Sequence, residues 1–282
     1  MKKFGLIGYP IQGSLSPALF RAGYHGKYPY DLIEDPDFNV CYQKFIDSYD
    51  GINVTAPFKE DAFRKAEIID PVCQRIGATN LLVKTTEGIC AYNSDYTGIS
   101  NSLIETVSGG IPEDRSDINA GISEFFGHRP GALIVGCGGA GKAAAVAAAD
   151  LGMQVTLMNR TVGKAEKIAS DLPQYGFGIR PLADFMEMFR KCDVIIYTLP
   201  GAIEAIGSLA SGKAGNIKII LEANYKTPAF SQGTIAQLRS VYRDVRYISG
   251  LRWLLHQAAG GYRLFTGEAP DFHVMEQTLA SH

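Results

Sequence analysis

The segment Ala132-Leu133-Ile134-Val135-Gly136-Cys137-Gly138-Gly139-Ala140-Gly141 starts as a short apolar run, breaks into glycines and passes into an alanine-rich stretch over residues 142–151. The apolar run suits a buried strand and the alanines suit a helix, so the glycines fall at a βα junction. There they fit the G-x-G-x-x-G pattern of a dinucleotide-binding turn. The first glycine permits a tight turn, the second lets backbone approach a pyrophosphate, and the third lets helix pack closely on strand. The positive helix end and its free N–H groups would hold the anion.

A second strand candidate covers residues 154–158, and the residues at its end separate the two nicotinamide cofactors. An acid there would hydrogen-bond the ribose 2'-hydroxyl of NAD and repel a 2'-phosphate. The chain instead reads Asn159-Arg160-Thr161-Val162-Gly163-Lys164. Arg160 can fork onto a phosphate, Asn159 and Thr161 can donate hydrogen bonds, and Lys164 adds positive charge. NADP (NADPH) is the expected cofactor.

Outward from this turn, further strand candidates lie at 193–198, 217–222 and 245–249, separated by helix-compatible segments, and helices are expected over 251–264 and 270–279. Residues 1–100 show their own alternation, with strand-like runs at 4–8, 51–55, 78–84 and 89–92 and helical stretches beginning near Pro17, Phe38 and Phe58 and after Asp95. Between these regions, residues 107–131 are rich in Gly, Pro, Asp and Ser, apart from one apolar patch at 122–126, and read as an inter-domain excursion. The fold class expected is α/β in two domains. The 282 residues are enough for both.

The charge of −2, from 27 basic and 29 acidic residues mixed along the chain, excludes a basic footprint for nucleic acid or anionic membrane. A small-molecule partner is expected instead. No apolar run reaches the roughly 18 residues of a membrane span, and Met1-Lys2-Lys3-Phe4 lacks the apolar stretch of a signal peptide, so a cytoplasmic protein is expected. Cys41, Cys73, Cys90, Cys137 and Cys192 form an odd set without C-x-x-C spacing, consistent with packing residues in a reducing compartment.

Polar residues cluster at strand ends in the first hundred positions. Ser14-Leu15-Ser16-Pro17 leads from a strand into a helix that Pro17 can begin, with Ser16 a natural N-cap and Ser14 free of that duty. Two hydroxyls beside a helix N-terminus suit a carboxylate. In Asn53-Val54-Thr55-Ala56-Pro57-Phe58-Lys59, Asn53 and Thr55 share one face, and Lys59 opposes the dipole of the helix it starts, which invites a functional reason. Asn80 and Asn93-Ser94-Asp95 add amide and carboxylate groups, and Asp95 could cap the next helix.

The S-x-S-P, N-V-T-x-P-F-K, N-x-D and G-x-G-G-A segments, with N-R-T and the run from Tyr225 to Pro228, stand in an order that resembles the shikimate dehydrogenase (shikimate/quinate dehydrogenase) family over nearly the whole chain. The resemblance implies a substrate pocket of Ser14, Ser16, Asn53, Thr55, Asn80, Tyr225 and Gln257, with Lys59 and Asp95 as catalytic pair. It assigns Gly136, Cys137, Gly138, Gly139, Ala140, Asn159, Arg160, Thr161 and Lys164 to NADP and sets Thr198, Ala223 and Gly250 near the nicotinamide, with no metal. The implied reaction is reversible NADPH-dependent reduction of 3-dehydroshikimate to shikimate in aromatic amino-acid (chorismate) biosynthesis. Hydride transfer to a ring carbonyl leaves an alkoxide needing a proton, which Lys59 could supply while Asp95 orients it.

Because the implied pocket residues occur at both ends of the chain and the glycine turn in the middle, residues 1–100 with helices over 250–282 are expected to form the substrate domain. Residues 101–249 would form a Rossmann-like NADP domain, with the cleft between them as the site. A homodimer is compatible with the resemblance. Departures from the family pattern are Gly13 for a histidine, Thr79 for a valine, Ser94 for a threonine, Glu222 for an aspartate and Trp253 for a methionine. They leave open quinate or a related hydroxylated ring acid as substrate, and a non-catalytic ligand-binding regulator is the alternative of another class. Arg160→Ala should weaken NADP by about ten-fold to more than a hundred-fold, the loss of one charge-assisted contact, and NAD far less. Titration of both cofactors checks this, and equal losses would contradict the assignment.

Overall fold

Phe4–Gly8 is buried along its whole length, the pattern of a strand flanked on both edges and covered on both faces. In the computed structural model, which describes residues 1–209 and 215–281, this strand sits inside the first of two units. One unit is Met1–Gly98 with the C-terminal residues from Leu254, and the other is Ile99–Trp253. The first runs β1 (Phe4–Gly8), α1 (Ser16–Gly23), β2 (Tyr30–Glu34), α2 (Phe38–Ser48), β3 (Gly51–Val54), α3 (Lys59–Lys65), β4 (Ile68–Ile69), α4 (Pro71–Ile76), β5 (Leu81–Thr85) and β6 (Gly88–Tyr92), and α5 (Ser94–Ser108) leads out of it. The second runs α6 (Ile118–Phe126), β7 (Gly131–Val135), α7 (Gly139–Asp150), β8 (Gln154–Asn159), α8 (Val162–Asp171), β9 (Gly178–Pro181), α9 (Phe185–Lys191), β10 (Val194–Tyr197), β11 (Gly215–Glu222), α10 (Gln232–Val241) and β12 (Tyr242–Ile248). Helices α11 (Gly250–Thr266) and α12 (Phe272–Ala280) complete the chain.

The first sheet has the order β2-β1-β3-β5-β6-β4, parallel except where β5 runs antiparallel to β3 and β6. Its core gathers Ile7, Ile52, Val54, Phe45, Phe58 and Leu82. Asp37 caps α2 by accepting from Asn39 N, and Asp70 caps α4, which Pro71 opens and a left-handed Gly77 closes. The second sheet is wholly parallel, in the order β12-β11-β10-β7-β8-β9. The chain lays β8 and β9 on one side of β7 and then crosses to place β10 on the other. That reversal opens a crevice at the carboxyl ends of β7 and β10, where open α/β sheets take ligands. Residues 143–148 of α7 are buried without exception, five of them alanines, so small side chains let this helix lie close on the sheet.

Several local expectations needed adjusting. Ser16 does not cap α1: the helix starts at Ser16 itself, and the N-cap is Leu15, whose side chain makes no capping hydrogen bond. The stretch at 107–131 belongs to the second unit, and its apolar patch lies on α6, which buries Ile122. Strands β2, β4 and β9 had no clear signal. β4 is two residues long, and β2 and β9 are edge strands with little apolar alternation. All five cysteines are free and buried, and no helix among the described residues is long and apolar enough to cross a membrane.

Lys218 on β11 is buried under the end of α9, where its ammonium donates to Phe189 O at 2.8 Å and to Cys192 O. The carbonyls at a helix C-terminus are good partners for a cation. Burial nonetheless pushes its pKa down to about 8, opposed by the nearby Asp193 and Cys192. A folded-state pKa below that of the unfolded chain means that the unfolded state holds the proton longer between pH 8 and 10.5, so this group adds stability as pH rises through that window. Urea unfolding of the native protein and of Lys218→Met should therefore show a stability difference that grows in favour of the native protein from pH 8 to 10.5, on the order of 3 kcal/mol at most. A pH-independent difference would contradict it.

Candidate active site

In the first unit the ammonium of Lys59, the first residue of α3, forms an ion pair and hydrogen bond with Asp95 Oδ2 in the first turn of α5. Their side chains are 19% and 5% exposed, so both charges are largely withdrawn from water. Asp95 is free for this because Asn93 does the capping. Asn93 Oδ1 accepts from Tyr96 N at 3.4 Å and its Nδ2 donates to Ala78 O at 2.8 Å. Lys59 is tied down through its own carbonyl, which accepts from Thr79 N at 3.1 Å.

The neighbouring amides are tied into the same frame. Asn80 is buried, its Oδ1 accepts from Ser94 N at 2.7 Å, and its Nδ2 donates to Ser94 Oγ at 3.1 Å, so it fixes the start of α5 one residue before Asp95. Asn53 Oδ1 accepts from the Tyr30 phenol at 2.7 Å, and Asn53 Nδ2 reaches Asn80 O at 3.4 Å. Thr55 packs its methyl against Gly8, where a Cβ would come within 2.4 Å of it. Thr79, the family's valine, places its hydroxyl 2.6 Å from Tyr92 O and 2.9 Å from Leu81 O.

Ser14 and Ser16 stand with their hydroxyls 3.2 Å apart at the start of α1, and Ser16 N donates to Ser14 Oγ at 3.3 Å. Tyr262 on α11 holds this turn by donating to Ser16 O at 3.0 Å. Gln257 lies one turn earlier on α11 than Gly260 and Gly261, whose missing side chains let the helix approach Thr97 and Ser94, on either side of Asp95. Neither Tyr30 nor Tyr262 was singled out in the sequence. The first starts a strand that gave no signal, and the second sits in an apolar helix face like any core aromatic.

In the second unit Gly136 has φ 109°, in the region that side chains avoid, and a Cβ there would lie 2.3 Å from Thr198 Oγ1. Gly141 is constrained more severely, since its Cβ would fall 2.0 Å from Gly136 O. Gly138, the N-cap of α7, has open space where a Cβ would be, so its backbone is accessible to a ligand. With Cys137, Gly139 and Ala140 this makes an anion cradle at a helix N-terminus, which fits a pyrophosphate.

Asn159 is used differently from the expectation of a phosphate donor. It is buried, its Oδ1 accepts from Cys137 N at 3.3 Å, and its Nδ2 donates to Thr161 O at 2.9 Å, so it ties the glycine turn to the start of α8. Arg160, Thr161 and Lys164 are exposed beside that link, and Thr161 caps α8 without using its hydroxyl. The Lys164 charge is felt at Cys137, where it opposes the burial that pushes the thiol up to about 11. These three groups can meet a 2'-phosphate.

Thr198, Ala223 and Gly250 follow β10, β11 and β12 and so share the ligand edge of the second sheet. Thr198 Oγ1 donates to Val135 O at 3.1 Å, and a Cβ on Gly250 would lie 2.5 Å from Ala223 O. Tyr225 is carried on the loop after β11, in this unit and not in the one that holds Lys59. Glu222, the family's aspartate, is fully buried and anchors that loop, accepting from Ala229 N, from Phe230 N at 3.2 Å and from the Tyr247 hydroxyl at 2.9 Å. Trp253 is buried, and its indole N–H has no partner among the described residues. Among those residues no group of three or more His, Cys, Asp or Glu is placed to hold a metal ion.

Three family models match the chain: the shikimate dehydrogenase substrate binding domain over residues 6–82, shikimate/quinate 5-dehydrogenase over 125–206, and the shikimate 5'-dehydrogenase C-terminal domain over 250–280. The shikimate dehydrogenase (NADP(+)) of Archaeoglobus fulgidus is 28% identical over 98% of this chain and 97% of its own. That of Methanosarcina mazei is 31% identical over 98% and 96%. The crystal structure of Mycobacterium tuberculosis shikimate dehydrogenase superposes with a TM-score of 0.78 at 29% identity, covering 100% of this chain and 99% of that one.

The glycine turn has a direct test. A methyl group at Gly141 must displace the Gly136 carbonyl, so Gly141→Ala should lower NADP affinity more than about ten-fold and reduce thermal stability together. Fluorescence titration with NADPH and a melting curve on the same sample check it, and unchanged affinity would show that the turn does not shape the cradle.

Proposed function

The chain belongs to the shikimate dehydrogenase family, and we propose that Lys59 and Asp95 carry the proton chemistry of its reaction, the reversible NADPH-dependent reduction of 3-dehydroshikimate to shikimate in the chorismate pathway. It is an oxidoreductase of the CH–OH class with NADP as cofactor. The observation that supports the assignment of the pair is the Lys59–Asp95 contact itself, a mostly buried ion pair built by the first turns of two helices.

Bound NADPH supplies the hydride. The chain's own groups then have three duties. Lys59 places an ammonium beside the ring oxygen that gains charge as the carbonyl is reduced and gives it a proton; in the oxidising direction the amine takes that proton back. Asp95 spends Oδ2 on the ammonium and leaves Oδ1 to accept from a neighbouring ring hydroxyl, so one carboxylate orients acid and substrate together. Ser14 and Ser16 offer adjacent hydroxyls to the substrate carboxylate, while Asn53, Thr55, Asn80, Gln257 and Tyr225 are assigned to the rest of the ring. On the cofactor side, Gly136 to Ala140 hold the pyrophosphate and Arg160, Thr161 and Lys164 the 2'-phosphate.

Mixing the protein with shikimate and NADP, and separately with quinate and NADP, should produce reduced-nicotinamide absorbance with shikimate in clear preference. Lys59→Ala should lower kcat by about 10² to 10⁴-fold with cofactor affinity nearly unchanged. Asp95→Asn should impair both kcat and KM, and Ser14→Ala should mainly raise KM, since a carboxylate contact exists in ground and transition states alike. Near-normal kcat in Lys59→Ala would remove the lysine from the chemical step, and absence of turnover with shikimate would sink the substrate assignment.

A further inference from the structure

Tyr30 opens β2, which lies across β1 from β3, and its phenol spans β1 to donate to Asn53 Oδ1 at 2.7 Å. The ring is packed by Phe20, with centroids 4.7 Å apart, and by Tyr262 at 6.1 Å. Burial raises the phenol pKa well above its ordinary value, with Tyr262 adding to the rise and Ser16 opposing it. The oxygen keeps its proton across the neutral range and has that one proton to give.

The other end of the Asn53 amide donates from Nδ2 to Asn80 O at 3.4 Å. A backbone carbonyl can only accept, so turning the amide over would set Oδ1 against Asn80 O. Tyr30 reinforces the same orientation from the opposite end. The amide is held at both ends, and what Asn53 retains for a ligand is the second Nδ2 hydrogen and one lone pair of Oδ1.

We propose that Tyr30 is a positioning residue which, by holding Asn53 Oδ1, fixes the orientation of the Asn53 amide so that it meets an accepting substrate oxygen through its remaining Nδ2 hydrogen. The inference rests on the assignment of Asn53 to the substrate pocket. It adds to that assignment a direction for the bond and a residue that enforces it from behind.

A double-mutant cycle in steady-state kinetics with shikimate and NADP tests it. Asn53→Ala raises KM for shikimate about 2- to 10-fold, the loss of one neutral hydrogen bond. Tyr30→Phe keeps the ring and removes only the oxygen; it raises KM by a comparable factor, leaves kcat within about two-fold, and changes KM no further in the Asn53→Ala background. Factors that simply multiply overturn the positioning role, because a merely structural tyrosine costs the same in either background. An unchanged KM in Asn53→Ala removes Asn53 from the pocket and takes this inference with it, while leaving shikimate turnover as the activity. Should Tyr30→Phe fold poorly, Asn53→Asp carries the test, since it offers Tyr30 an acceptor but has no N–H. KM then rises at least as far as in Asn53→Ala, and a near-native KM overturns the donor assignment.

Discussion

Two opposite charges held out of water at Lys59 and Asp95 impose the strictest demand on this fold. Removing either partner of such a pair leaves the other charge uncompensated, typically at about 3–5 kcal/mol, so the supporting structure must keep both in place at all times. Each charge sits in the first turn of its helix. There the carboxylate is favoured by the dipole, and the ammonium, which is not, is stabilised by the carboxylate. The amides around them act as struts: Asn93 takes over the capping of α5, Asn80 fixes Ser94, and the Lys59 carbonyl accepts from Thr79 N. Polar groups at this centre therefore serve two purposes, satisfying their own hydrogen-bonding needs and presenting what is left to a ligand.

The second unit repeats that economy with different residues. Asn159 joins the glycine turn to α8, so the loops proposed to hold a pyrophosphate and a 2'-phosphate share one amide. Glu222 ends β11 and folds the next loop back over itself with a carboxylate that never meets solvent. In both places a side chain that reads from sequence as a ligand group, or as a small departure from the family pattern, is spent on backbone N–H groups that would otherwise go unpaired.

The α/β class and the glycine turn were legible because their causes are local. A tight turn demands glycine at Gly136, close helix approach demands it at Gly141, and the alanines of α7 announce a helix that must lie near a sheet. The candidate pair was legible only in part. Lys59 could be flagged by its awkward place at a helix start, but nothing in a linear reading joins it to a carboxylate 36 positions away; the family resemblance did that. Tyr30 was beyond reach altogether. Its bond to Asn53 exists because β2 and β3 flank β1 in register, with Phe4 opposite both Tyr30 and Gly51, and strand order is not written in periodicity. The edge strands β4 and β9 escaped for the same reason, since pairing with a neighbour, and not their own pattern, makes them strands.

The burial of the thiols has a chemical consequence. Cys73 is pushed up to about 12 and Cys137 and Cys192 to about 11 by desolvation, which leaves on the order of one molecule in ten thousand or fewer as thiolate at neutral pH. Peroxides and electrophiles attack the thiolate, so these sulfurs are chemically silent in the folded chain. Cys137 lies within the very turn proposed to hold the dinucleotide, yet it offers oxidants little thiolate there. Attack on Cys137 must wait for the turn to open, and the rate of that modification becomes a clock for how often it does.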